Sequence, residues 1–160
     1  MNLRELEPTR LWGVFADICS IPHPSGYEAR LRDYVLEFAR RNMLTAECDA
    51  VGNVLLSQSA SAGFEDRKTV LMQGHLDMVP EKNSDCNFDF TTQAVQSIVD
   101  GDFIKAENTT LGADNGIGIA MALAAMTDCD LPHGPLKALF TIEEETGLTG
   151  AAQVDPAFID

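Results

Sequence analysis

Basic residues are scarce in this sequence, and long apolar runs are missing. Eleven Lys and Arg side chains stand against 25 Asp and Glu, so the 160 residues carry a formal net charge of −14 at pH 7. Such a charge repels phosphate backbones and anionic lipid surfaces. No apolar run approaches the roughly 18 residues that a membrane span requires. We therefore expect neither nucleic acids nor membranes as partners.

Cysteine motifs of metal ribbons and redox proteins are also missing. Cys19, Cys48, Cys86 and Cys129 are widely spaced and form no Cys-x-x-Cys pair, so neither a zinc ribbon nor a thioredoxin-like motif is expected. The first eight residues are too polar for a secretory signal. We therefore expect reduced thiols and a cytoplasmic protein.

The pattern of apolar residues predicts one α/β domain. The length and the 45% apolar content are sufficient for a sizeable core. Apolar residues at spacings of three and four predict helices, and short apolar runs between turn residues predict strands. Helices are predicted from Pro8-Thr9 to about Ser20, over 28–43, and from about Asp114 to about Thr127. Strands are predicted over 44–49, 54–57, 69–79, 95–99, 103–106 and 136–142. The expected fold is a mixed, largely parallel sheet flanked by helices.

The segment Thr69–Pro80 contains the first candidate site residues. Its apolar start, Val70 to Met72, does not alternate, which predicts a strand buried on both faces of the sheet. His75 and Asp77 follow at the carboxyl end of that strand, where ligand crevices form in open α/β sheets. A histidine with a nearby carboxylate can be a metal ligand with the partner that orients it. Taken alone, the same pair is more often a surface pair or a turn.

A glycine-rich stretch precedes the third predicted helix, and Asp114 lies within it at or near the helix N-cap. A carboxylate at an N-cap stabilises exposed N–H groups by roughly 1 kcal/mol. The same position can also hold a carboxylate rigidly beside a ligand, with Gly112, Gly116 and Gly118 permitting close backbone approach. The spacing of these glycines matches neither a dinucleotide-binding nor a phosphate-binding loop. The structural and the functional interpretation of Asp114 both stay open.

Three consecutive acids, Glu143, Glu144 and Glu145, follow directly on the predicted strand 136–142. Like charges repel and lose hydration at the end of a buried strand, so stability does not explain them; the alternative is a solvated loop. With His75 and Asp114 they would converge at one rim of the sheet. One imidazole and several carboxylates suit zinc, or manganese and cobalt, and a carboxylate can bridge two ions.

Three motifs occur in the order of a known family: Gly74-His75-Leu76-Asp77-Met78-Val79, Thr110-Leu111-Gly112-Ala113-Asp114-Asn115-Gly116 and Glu143-Glu144-Glu145-Thr146-Gly147. Together they resemble the dinuclear zinc peptidases of the M20 family. The resemblance favours the aminoacyl-histidine dipeptidase branch, also called Xaa-His dipeptidase or peptidase D. The opening Ile21-Pro22-His23-Pro24-Ser25-Gly26 is also similar to that branch, so the resemblance covers essentially the whole chain and implies a zinc-exopeptidase-like fold.

The resemblance also implies a role for each matched residue. His75 would be a ligand of one zinc ion, Asp77 the acid that orients it, and Asp114 the carboxylate that bridges both ions. Glu145 would be a ligand of the other ion and Glu144 the general base. The implied reaction is hydrolysis of a dipeptide, with C-terminal histidine as in β-alanyl-histidine. A hydroxide held by the metal would attack the peptide carbonyl while Glu144 takes the water proton and later protonates the leaving amine.

Two ligands that the family needs have no match here. The first is an acid further downstream of Glu145, and Asp155 and Asp160 cannot supply it because they lie too close to Glu145 in sequence. The second is a histidine late in the sequence, which His23 and His133 cannot supply because both are turn residues upstream of Glu145. The chain, 1–160, is therefore expected to be the N-terminal part of a catalytic domain that is inactive alone. The lid or dimerisation domain would be absent, and the full-length form is expected to be a homodimer.

Two alternatives stay open. Another amidohydrolase of the family, such as a tripeptidase or a deacylase, would share these motifs, although the sequence Ala113-Asp114-Asn115-Gly116 favours the dipeptidase. A non-catalytic acidic domain that binds cations or a protein partner would have the same charge, but it would not need Glu144. Glu143 stands where relatives often carry Asp, and it is given no catalytic role.

Overall fold

Three helices form where the apolar spacing predicts them. In the computed structural model, which describes residues 2–159, α1 spans Thr9–Cys19, α2 spans Ala29–Arg41 and α3 spans Ala113–Met126. Asp160, one of the two late acids considered above, lies outside the described residues. Across residues 2–159, no helix combines the length and the apolar character that crossing a membrane requires.

Within residues 2–159, six strands form two sheets. They are β1 (Thr45–Cys48), β2 (Val54–Gln58), β3 (Val70–His75), β4 (Ser97–Asp100), β5 (Phe103–Ala106) and β6 (Leu136–Thr141). The main sheet has the order β1-β2-β6-β3, and β4 and β5 form a separate hairpin around Asp100-Gly101, a dipeptide typical of hairpin turns. The predicted mixed sheet is confirmed. Its parallel share is smaller than expected, because β3–β6 is parallel whereas β1–β2 and β2–β6 are antiparallel.

The interpretation of β3 as a strand buried on both faces is wrong. β3 lies at an edge of the described sheet, and Val70 and Leu71 are 53% and 42% exposed. Burial begins only at Gly74 and His75. An apolar run does not reveal whether a strand has one neighbour or two, because the order of strands is a property of the whole sheet. By contrast β6, which lies between β2 and β3, is buried along nearly its whole length, as predicted.

Parallel pairing of β3 with β6 places the two site-bearing segments side by side. His75, the last residue of β3, is in register with Thr141, the last residue of β6. The His-x-Asp segment and the acidic run therefore leave the sheet at the same edge. Because α3 packs against both α1 and β3, the start of α3 can lie beside that edge.

Buried Asn53 holds the loop that follows β6. Its side-chain NH2 donates to the Gly150 carbonyl (3.0 Å) and to Asp49 Oδ2 (2.7 Å), and its Oδ1 accepts the Ile142 N–H (3.1 Å). The Gly150 N–H in turn donates to the Ile142 carbonyl (3.1 Å). A Cβ at Gly150 would lie 2.5 Å from both Ile142 O and Asn53 Oδ1, so this closure requires glycine.

We predict opposite stability effects for two Gly to Ala substitutions. Gly150→Ala should lower the free energy of unfolding by about 1–3 kcal/mol, because the new methyl group overpacks fixed backbone atoms. Gly13→Ala, inside α1, should raise it by about 0.5–1 kcal/mol, because its Cβ would meet only Arg4 Nη1, at 4.0 Å. Urea unfolding of the metal-free chain measures both changes. An unchanged unfolding midpoint for Gly150→Ala would contradict the closure described here.

Candidate metal centre

The ring of His75 is held in one orientation by Asp77. His75 is only 5% exposed. Its Nδ1 lies 3.0 Å from the Asp77 backbone carbonyl and 3.4 Å from Asp77 Oδ1. Since a carbonyl oxygen can only accept, Nδ1 carries the hydrogen, and Nε2 is the nitrogen left for a ligand. Nε2 faces Asp114 Oδ1 at 3.0 Å.

The Asp77 carboxylate also holds the backbone of the acidic run. Asp77 is 1% exposed. Its Oδ1 accepts the Glu144 N–H (2.9 Å), and its Oδ2 accepts the Glu145 N–H (3.1 Å) and the Ser25 hydroxyl (2.7 Å). Burial alone would raise the pKa of Asp77, but hydrogen bonds from His75, Ser25 and the two backbone N–H groups outweigh it and lower the pKa. The carboxylate is therefore charged although it is buried.

Asp114 lies just before the regular part of α3. Gly112 takes the left-handed conformation (φ 75°), Asp114 has φ −88° and ψ 109°, and the Asp114–Asn115 peptide bond is cis. The Asp114 side chain is 79% exposed, and its carboxylate bonds to His75 Nε2. Contact with the imidazole favours the functional interpretation of Asp114 over that of a simple helix cap.

Glu144 and Glu145 complete the cluster. Ligand atoms of His75, Asp114 and Glu145 all lie within 4.8 Å of one another. Glu144 Oε2 lies 4.0 Å from His75 Nε2. The pKa of Glu145 is raised, first by lost hydration and then by the neighbouring carboxylates, against the opposing effect of His75. The structure thus brings together all five residues that the sequence singled out.

A cleft of about 500 Å³ opens beside this cluster. His75, Asp114 and Glu144 line one part of it, and apolar residues that include Leu148 and Val154 line another. A separate groove of about 410 Å³ lies between α1 and the β4–β5 hairpin, and no member of the cluster lines it. A molecule bound in the first cleft can therefore reach the cluster.

The donor atoms fit a divalent metal ion. Zinc takes imidazole nitrogen and carboxylate oxygen at about 2.0–2.2 Å, so its tetrahedral ligands lie about 3.4 Å apart. The 3.0 Å between His75 Nε2 and Asp114 Oδ1, with Glu145 close by, approaches that spacing. Within residues 2–159, no other group of three or more His, Cys, Asp and Glu side chains has such a geometry.

Glu28 and Asn53 carry no motif signal in the sequence, although their side chains accept the N–H groups of Glu143 and Ile142. Glu28 begins a helix and Asn53 follows a turn, positions at which polar residues are common. Ser25, which bonds to Asp77, lies in the opening stretch. The other two histidines lie outside the cluster, as predicted for loop residues. His23 is 2% exposed and bonds to the Ile21 carbonyl, and His133 lies in the turn before β6.

The fold and the cluster define an α/β domain of the zinc-exopeptidase type. No protein-family model matches the chain. Over 150 residues the chain is 51% identical to the cytosol non-specific dipeptidase of Escherichia coli K12. The matched region covers 94% of this chain and 31% of that protein. The aminoacylhistidine dipeptidase of Vibrio alginolyticus superposes with a TM-score of 0.94 at 43% identity, over 97% of this chain and 32% of that one.

The chain is similar to these dipeptidases over nearly its whole length, and the resemblance expected from its motifs is confirmed. A tripeptidase of Staphylococcus aureus shares the fold, with a TM-score of 0.79 at 24% identity, over 97% of this chain and 42% of that one. The chain spans about a third of the length of the two dipeptidases.

We predict that His75 keeps its proton at neutral pH in the metal-free chain. Burial by itself would lower the pKa of His75, but hydrogen bonds to Asp77 and Asp114 raise it from 6.5 to about 9. Because the folded-state pKa is the higher one, this proton stabilises the metal-free fold below about pH 6.5, and the contribution is lost as the pH rises through about 9. NMR titration of the imidazole signals measures this pKa.

His23 provides the internal comparison in that titration. Its pKa is lowered, mainly by burial, so the two imidazoles should titrate on opposite sides of the ordinary value. His75→Gln assigns the signal. A His75 midpoint at or below 6.5 would contradict the arrangement.

Proposed function

We propose that a complete protein containing this chain is a metal-dependent dipeptidase of the M20 family. The observation that carries the proposal is the convergence of His75, Asp114 and Glu145 within 4.8 Å at the carboxyl ends of two parallel strands. Identity of 51% to a named dipeptidase supports the same class of reaction.

The proposed site would take two zinc ions, for which cobalt or manganese could substitute. His75 and Asp114 would hold one ion, Asp114 and Glu145 would hold the other, and further ligands would come from outside this chain. The surrounding carboxylates of Asp77, Glu143 and Glu144 add negative charge that attracts cations. When bound, the ions polarise the peptide carbonyl and lower the pKa of water.

Glu144 is the proposed general base. Its carboxylate lies 4.0 Å from His75 Nε2, and it is 33% exposed beside the cleft. A carboxylate at this place can take a proton from the attacking water and return it to the leaving amine. Asp77 fixes the Glu144 backbone through the N–H group (2.9 Å), so the base approaches the reacting atoms from a fixed side.

Dipeptides are the proposed substrates, with a preference for C-terminal histidine. The name of the Vibrio alginolyticus relative, aminoacylhistidine dipeptidase, supports the preference, whereas the Escherichia coli relative is called non-specific. The rates at which a complete protein hydrolyses β-alanyl-histidine and dipeptides that lack histidine decide between a histidine preference and broad specificity. We also propose a cytoplasmic location, supported by the description of one relative as a cytosol enzyme, and a homodimeric full-length form.

We predict that Glu145→Gln weakens zinc binding by this chain and that Glu143→Gln does not. Loss of a ligand should cost at least the roughly 10–100-fold that loss of a ligand's hydrogen-bond partner costs. Glu143→Gln removes the same charge from the same run, but Glu143 is not a member of the ligand group. Competition with a chromophoric chelator measures both dissociation constants. Equal weakening by the two substitutions would indicate general charge attraction, as in a non-catalytic cation-binding domain.

For the complete protein, we predict that Glu144→Gln lowers kcat by about 10²–10⁴-fold, the usual contribution of a general acid or base. Zinc content should stay the same, because Glu144 is not among the proposed ligands. The assay uses β-alanyl-histidine as substrate, with metal analysis of the same samples. Full activity of Glu144→Gln would exclude this residue as the base.

A further inference from the structure

The acidic run directs its backbone N–H groups inward while two of its side chains reach the cluster. Glu143 takes the left-handed backbone conformation (φ 48°), which residues other than Gly, Asn and Asp rarely adopt. The N–H groups of Glu144 and Glu145 both point to Asp77. A non-glycine residue stays in this conformation only when its surroundings fix it.

The first N–H group of the run points to a different carboxylate. Glu28, at the start of α2, is 6% exposed, and its Oε1 accepts the N–H groups of Glu143 (3.1 Å) and Gly26 (2.9 Å). Glu28 therefore connects the turn that precedes α2 with the segment that follows β6. The two segments are 115 residues apart in sequence.

Hydrogen bonds from backbone N–H groups, rather than an opposite charge, hold the Glu28 carboxylate. Within the described part of the chain, Glu28 forms no ion pair with Lys, Arg or His. A buried carboxylate without a cationic partner is unfavourable unless its hydrogen bonds compensate. The two bonds of Glu28 go to backbone groups, and one of these belongs to the strained residue that leads into Glu144 and Glu145.

We propose that Glu28 is a positioning residue of the metal centre. By accepting the Glu143 N–H, it holds Glu143 in its left-handed conformation and so sets the direction in which the Glu145 and Glu144 side chains leave the backbone. Asp77 fixes the next two N–H groups, and the two buried carboxylates together determine the path of the run. The inference rests on the proposed metal site, but its first test does not require metal.

Amide hydrogen exchange in the metal-free chain tests the contact. Glu28→Met keeps the length of the side chain but removes the acceptor, so exchange at the Glu143 N–H should accelerate about tenfold or more relative to the amides of β2. Glu28→Gln keeps an acceptor oxygen and should keep most of the protection. If Glu28→Met does not fold, Glu28→Asp, which is one methylene shorter, should give the same acceleration. Unchanged exchange at Glu143 relative to β2 would overturn the proposal, whether or not the chain binds zinc.

Zinc affinity then separates a positioning role from a purely structural one. Glu28→Met should weaken zinc binding about tenfold, but by less than about threefold when Glu145 is already Gln, because residues that act through one another are not additive. Asp33→Asn is the control, since it removes one acid from an exposed position of the same helix. Equal effects of Glu28→Met in the two backgrounds would overturn the proposal. Absence of zinc binding in a complete protein that contains this chain would instead count against the proposed metal site.

Discussion

The buried Asp77 carboxylate is the interaction on which the rest of the site depends. Its Oδ1 lies 3.4 Å from His75 Nδ1 and accepts the Glu144 N–H, and its Oδ2 accepts the Glu145 N–H. One charged group therefore links the end of β3 to the segment that leaves β6. Its burial would be costly for an unpaired charge, and four hydrogen-bonding partners, including Ser25, compensate for it. Removal of this carboxylate would leave several buried donors without an acceptor.

Sheet topology brings the contributing segments together. β3 and β6 are parallel neighbours that stay in register to their last residues. His75 and Thr141 are therefore paired although they are 66 residues apart in sequence. The start of α3 then places Asp114 over the same edge. Around this group, Glu28 and Asn53 bind backbone groups of the loop after β6. Residues outside the candidate ligand group thus bind the backbone of the segment that carries Glu144 and Glu145.

Much of the site could be predicted from the sequence because its motifs are local. His75 and Asp77 are two residues apart, Glu144 and Glu145 are adjacent, and both pairs follow apolar strands. Glu28 and Ser25 could not be assigned a partner, because their contacts join segments that are distant in sequence. The exposure of Val70 and Leu71 was missed for a related reason, since an apolar run looks the same in a central strand and in an edge strand.

The sequence by itself determined the secondary-structure elements, the acidic character and the residue types of the candidate site. Periodicity, turn residues and short motifs are local properties, and local chemistry governs them. Only the tertiary structure decided which strand lies at the edge, that Asp114 faces His75, and that Asp77 and Glu28 hold three successive N–H groups of the acidic run. These features depend on strand order and long-range hydrogen bonds, which arise only when distant segments pack together.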